Sequence, residues 1–214
     1  MIFEGCVGVG MNRRAVLVVV KAVVVVVAVV VLGYVWVAED RTLTIAAAQY
    51  NLGRMYDKGV SKDETTAVEW LEKAAARGHV QAQVRLGVMY DTGIGAPKAA
   101  ARAAYWYREA AEQGRADIQR IFGRMCSTGR GVPEDKFEAA KWWKKAADKG
   151  DIYAQEFLGL AYIHGEGVIR DREIGCRLLR ASAEQGNKDA IVLYNELCVT
   201  EKPAKSIEGT GAVR

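Results

Sequence analysis

Two patterns of apolar residues divide the chain. From Ala15 to Ala38 the apolar run is interrupted only by Lys21 and Gly33, and valine dominates it. At ~1.5 Å per residue, a helix of these 24 residues reaches ~36 Å, enough to cross a hydrocarbon core of ~30 Å. Beyond residue 40 apolar residues recur instead at helical spacing, as at Ala82, Leu86, Met89 and Tyr90, and again at Ala103, Trp106, Tyr107 and Ala110. Such spacing places each set on one face of a helix. The first pattern predicts one transmembrane helix over residues 15–38 behind a short tail, 1–14. The second predicts an all-α array of antiparallel helices over residues 44–200, and the polar, Pro- and Gly-bearing residues 201–214 read as a tail.

The ends of the apolar run differ chemically. Lys21 lies near its start, where the stem can carry the ammonium back to the headgroups, and Tyr34 and Trp36 fall near its other end, at interfacial depth. Arg13 and Arg14 precede the run, whereas Glu39 and Asp40 follow it with a single Arg41. The positive-inside rule therefore keeps the N-terminus in the cytoplasm and sends the remainder across. A cleaved signal peptide is the competing reading. Its apolar core is ordinarily shorter, and a cut after Ala38 puts bulky Trp36 where a small residue is wanted. An uncleaved anchor is the better fit.

The remainder of the chain repeats itself. Gly87, Gly123 and Gly159 stand 36 residues apart, and Gly53 precedes Gly87 by 34. On that register Leu52, Leu86, Phe122 and Leu158 align, as do Tyr56, Tyr90, Cys126 and Tyr162. So do Trp70, Trp106, Trp142 and Leu178, each followed by an alanine-rich stretch and a glycine. Each unit is thus an antiparallel helix pair whose neighbours must stack to bury its apolar faces, with Trp70, Trp106 and Trp142 expected in the core. Gly93, Gly129 and Gly165 suit a left-handed helix end, and Gly87 or Gly123 suits a close helix approach. Asp63, Asp135 and Asp171 are expected N-caps, with Ser61 and Glu64 reading as a capping box. The second unit has Ala99 at the cap, with only Pro97 as a first-turn residue.

Leu-Gly-x-x-Tyr at Leu86–Tyr90, Gly-x-Gly-Val-x-x-Asp at Gly129–Asp135 and Trp-x-x-Lys-Ala-Ala at Trp142–Ala147 resemble the Sel-1-like repeat, a relative of the tetratricopeptide repeat. The resemblance covers about Ala46 to Cys198, four units and a half unit. It departs from the pattern at Gly59-Val60, where the first loop is two residues short, and at Cys126 and Leu178. It implies a right-handed superhelical solenoid of helix pairs and a role in binding proteins. Some relatives have been ascribed a serine-enzyme activity, yet no serine here is followed at the third position by lysine. The paired seven-residue cysteine spacing of cysteine-rich relatives is also missing. Cys6 falls on the cytoplasmic side, and Cys126, Cys176 and Cys198 are expected as buried thiols, with a Cys176–Cys198 disulfide as the alternative in an oxidising compartment.

Composition adds little to this picture. In 214 residues, Lys+Arg 30 against Asp+Glu 26 gives a net charge of only +4, too small to argue for nucleic acid. Arg13, Arg14 and Lys21 against Glu4 supply half of it before residue 39. His79 and His164 are far apart and lack a ligand motif, and Gly5, Gly8 and Gly10 follow no strand, so neither metal nor dinucleotide binding is expected. No nucleophile–base set stands out, and the chain reads as a non-enzyme without cofactors.

What remains is surface. In helix-pair solenoids the first helix of each pair lines the concave side. There the residues left after core assignment are Arg54, Arg85, Arg120 and Arg124, with Phe157 and Leu160 beside them. They suit an acidic protein or peptide, or one bearing a C-terminal carboxylate, with an apolar patch adjacent. The plain alternative is a set of solvated helix faces. The resulting reading is a membrane-tethered adaptor, with repeats facing the periplasm from a bacterial inner membrane. Its rival is a secreted or periplasmic repeat protein with a cleaved signal peptide and hydrolase-like activity.

Overall fold

The computed structural model describes residues 44–57 and 63–199. The expected tail 1–14, the span 15–38, the short loop at Gly59-Val60, Ser61 and the tail 201–214 lie outside them. Among the described residues every regular element is helical, and no helix is long and apolar enough to cross a membrane. After α1 (44–57) come α2 (Glu64–Ala75), α3 (Val80–Thr92), α4 (Ala100–Glu112), α5 (Ala116–Thr128), α6 (Lys136–Ala147), α7 (Ile152–His164), α8 (Arg172–Glu184) and α9 (Lys188–Tyr194). A π-helical turn, Asn195–Val199, ends the described chain. Packing is most extensive within the pairs α3/α4, α5/α6 and α7/α8, and α4/α5 and α6/α7 join successive pairs. The result is the helix-pair solenoid that the repeat demands.

Local chemistry sets the boundaries. Asp63, Asp135 and Asp171 cap α2, α6 and α8 by accepting from amides two or three residues on. Gly93, Gly129 and Gly165 end α3, α5 and α7 in the left-handed region, where each amide returns to a carbonyl of the last turn. Ala99 holds φ −147°, matching −148° at Asp135, but gives α4 no side-chain cap. Pro97 lies three residues before α4, in the loop, and contributes nothing to its first turn. Ala99→Asp should therefore stabilise the protein by about 0.5 to 1 kcal/mol, read as a raised denaturation midpoint. An unchanged midpoint would mean that α4 does not need the cap.

The tryptophan expectation needs correction by one residue. Trp142 is buried, but Trp70 and Trp106 are only half-buried. The side chain that enters the pair interface is the next one along. Leu71, Tyr107, Trp143 and Leu179 lie over Gly53, Gly87, Gly123 and Gly159, where an added Cβ would come within 2.9, 2.7, 2.6 and 3.1 Å of them respectively. The helical glycine is thus a notch that receives the partner helix's side chain.

Polar ties join the units. Gln83 donates to the Ala75 carbonyl at 3.2 Å and Gln119, 36 residues on, to that of Ala111 at 3.0 Å, so each holds a first helix to the end of the preceding pair. In α9's half unit, Asn187 donates to Glu156 (2.6 Å) and to the Ser182 hydroxyl (2.9 Å). The Cys176–Cys198 disulfide ties α8 to the terminal turn. Those two cysteines are therefore bridged, contrary to the buried-thiol expectation. Cys126 is a buried free thiol.

The α3 cap carries a pH dependence. His79 stacks on Tyr50 at 4.4 Å, and its Nδ1 accepts the Ala82 amide at 3.3 Å, which requires a neutral ring. Burial lowers its pKa from 6.5. The unfolded chain takes up the proton first, so the cap's contribution is complete above pH 6.5 and is lost as pH falls below it. The melting temperature should fall between pH 7.5 and 5.5, and should fall less in His79→Asn, which caps without titrating. Parallel curves for the two proteins would show that His79 is not the titrating group.

Candidate functional site

Three first helices, α3, α5 and α7, present a common stripe beside their notch glycines. Val88, Ile121, Phe157 and Leu160 are half-exposed there, and the Phe157 ring leans on Trp143 at 5.5 Å. Exposed Arg54 occupies the equivalent place on α1, with its guanidinium 5.8 Å from the Tyr50 ring centre. Spacing alone brings these residues into line, because positions 36 apart fall on corresponding faces of successive pairs.

The four expected cations do not share one state. Arg85 donates to Asp57 at 2.6 Å, where the carboxylate is almost wholly buried at the end of α1. Arg120 pairs with Asp151, the N-cap of α7, at 3.1 Å and lies over the Tyr153 ring. Both therefore tie one unit to the next. Arg124 is exposed and has no ion-pair partner among the described residues. With Arg54 on α1, it is a charge this face leaves available to a partner.

Around Arg124 the structure assembles residues that spacing did not single out. A cavity of about 400 Å³ opens between α3, α4 and α5, with Ile121, Met125 and Tyr107 forming its apolar walls. Arg130, in the loop after α5, reaches back to Asp91 on α3 and bridges the second and third units. Asp91 is the counterpart of Asp57. The counterpart of Arg85 is Ile121, which cannot pair, so Asp91 takes the loop arginine instead. The Tyr107 phenol is pushed up to about 12, chiefly by burial and then by the charge of Asp91 against that of Arg130.

Burial, then Glu138 and Asp135, push the Cys126 thiol up to about 11, which leaves it protonated at neutral pH and not a ready nucleophile. Among the described residues, no three His, Cys, Asp or Glu side chains cluster closely enough to hold a metal ion. His79 is committed to its cap.

Against this geometry, the Sel1 repeat model matches residues 46–79, 80–114, 122–151 and 152–187, the four helix pairs in turn. The chain belongs to the Sel1 repeat family. A Sel1 repeat protein from Oxalobacter formigenes is 36% identical with a TM-score of 0.67, over 71% of this chain and 63% of that one. A protective antigen of uropathogenic Escherichia coli strains displaying an SLR fold is also 36% identical, with a TM-score of 0.64, over 71% of this chain and 34% of its own. This Sel1-repeat chain thus spans less than two thirds of either relative. No curated protein matches it. Sel1-repeat proteins are generally protein-interaction scaffolds, so the family directs attention to surfaces rather than to a reaction centre.

Proposed function

We propose that this Sel1-repeat protein is a membrane-tethered scaffold that holds an acidic segment of a partner protein against the face lined by its first helices. The observation that carries the reading is Arg124. It stands unpaired beside half-exposed Ile121, while Arg85 and Arg120 on the same face are neutralised by buried or capping aspartates. An available cation next to apolar surface is what a partner needs for both steering and burial. The tether is the apolar run 15–38, and the Arg13–Arg14 flank sends the repeats across. The Cys176–Cys198 disulfide supports an oxidising compartment, and both solved relatives are bacterial, which favours the periplasmic side of an inner membrane.

Two experiments test this reading. A C-terminal reporter should be active only outside the cytoplasm, and the protein should stay in membranes through alkaline washing. Activity confined to the cytoplasm, or complete release with chains beginning near Tyr34 or Glu39, contradicts the tether. The partner, isolated by chemical crosslinking from intact cells, should be lost from Ile121→Asp and Phe157→Asp variants that keep wild-type helicity. Recovery at the wild-type level from both variants would move the site to the second helices or to the tail after Glu201.

A further inference from the structure

We propose that the cavity between α3, α4 and α5 is a subsite for one glutamate or aspartate side chain of the bound segment, with Arg124 taking the carboxylate and the Tyr107 hydroxyl donating to it. The inference rests on the scaffold reading and names the chemistry of that contact. Tyr107 is only 6% exposed, because its ring fills the notch at Gly87. Yet its hydroxyl, on the wall of the cavity, has no hydrogen-bond partner among the described residues. Tyr90, the other deeply buried tyrosine, shows the usual outcome: its hydroxyl donates to Glu72 at 2.6 Å and accepts from Arg102 at 3.2 Å. Tyr107 thus keeps its ring buried while its hydroxyl opens onto the cavity, a donor that a ligand can engage in place of solvent.

The charges select the ligand. The cavity holds two guanidinium groups and one carboxylate, and Arg130 is already engaged with Asp91. One positive charge is left over, at Arg124, and its planar fork matches a carboxylate. With Asp91 in the same wall, a dianion is a poorer match than a single carboxylate. The Tyr107 phenol, pushed up to about 12 by burial and then by Asp91, is a neutral donor at physiological pH, and the attraction for an anion comes from Arg124. Thr128 is not available to contribute, since its hydroxyl donates to the Arg124 carbonyl at 2.9 Å. Ile121 and Met125 supply apolar surface for the side-chain methylenes.

No other junction combines these parts among the described residues. The counterparts of Tyr107 are Leu71, Trp143 and Leu179, none of which has a hydroxyl, and the nearer counterparts of Arg124 are Val88 and Leu160. The subsite therefore sits at one place in the array and sets the register of an extended segment along it.

The test is a magnetic-resonance titration of the full chain in detergent with N-acetyl-glutamate amide, alongside N-acetyl-glutamine amide and inorganic phosphate. Blocked glutamate should shift the Arg124 side-chain signal and the amides of the last turns of α5 saturably, and blocked glutamine should bind about tenfold more weakly or worse. Arg124→Ser should abolish the response. Tyr107→Phe, which keeps the ring in its notch, should weaken it roughly three- to tenfold at an unchanged melting temperature. Equal binding of glutamine, tighter binding of phosphate, or an undiminished response in Arg124→Ser would overturn the proposal. Loss of the glutamate response with partner crosslinking intact removes the subsite and leaves the scaffold. A glutamate response without any partner on this face removes the scaffold and leaves the cavity.

Discussion

Gly131→Ala should destabilise the protein by about 2 to 5 kcal/mol, read as a fall in the denaturation midpoint at unchanged slope. Gly131 sits in the loop after α5 at φ +76°, where a Cβ is itself unfavourable by ~1 to 2 kcal/mol. In addition, that Cβ would stand 2.2 Å from the carbonyl oxygen of Ala100, the first residue of α4, so the loop of one unit and the second helix of the preceding one must separate. Backbone cannot yield as a side-chain tip can, which adds an overpacking term of ~1 to 3 kcal/mol. Gly95 and Gly167 press in the same way on Glu64 and Lys136. The control is Gly150→Ala. There φ is +85° but no atom lies within 4 Å, so only the backbone term applies. Equal losses in the two variants would show that the close approach between units carries no energy.

Tyr107→Ala should cost about 3 to 5 kcal/mol, the range for emptying a buried aromatic site, and Trp106→Ala only about 1 to 2. Tyr107 fills the Gly87 notch, whereas Trp106 is half-buried and makes an edge contact with exposed Tyr105 at 4.8 Å. In a solenoid the loss should spread to both neighbouring pairs, because the interfaces between units are shared. Hydrogen exchange would show it as faster opening in α2 and α5, on either side of the α3/α4 pair. The reverse ranking, with Trp106 the costlier residue, would place the pair interface one residue back.

That one-residue displacement illustrates where the sequence stops being legible. Trp106 and Tyr107 both lie in an apolar stripe wide enough to bury either, and adjacent helical positions differ by only ~100°. What decides between them is the notch at Gly87, 20 residues away on the other helix of the pair. The repeat itself was plain, because its glycines, alanines and aspartate caps recur in one register and each answers a local need. The candidate site was only half visible. Arg124 could be found from its place beside Gly123, but the neutralisation of Arg85 and Arg120 depends on Asp57 and Asp151, 28 and 31 residues away across unit boundaries. Tyr107 and Arg130 had a faint signal: a hydroxyl where sister units have Leu or Trp, and a cation between two turn glycines.

Site-specific photocrosslinking in intact cells measures directly which face of the array holds a partner. A photoreactive residue placed at Val88, Ile121 or Phe157 should capture one and the same partner, and the yield at Ile121 should fall when Arg124 is replaced by Ser. The same residue placed at Tyr105 or Lys141, exposed positions on α4 and α6, should capture none. Capture from Tyr105 and Lys141 with none from the first-helix positions would contradict the account.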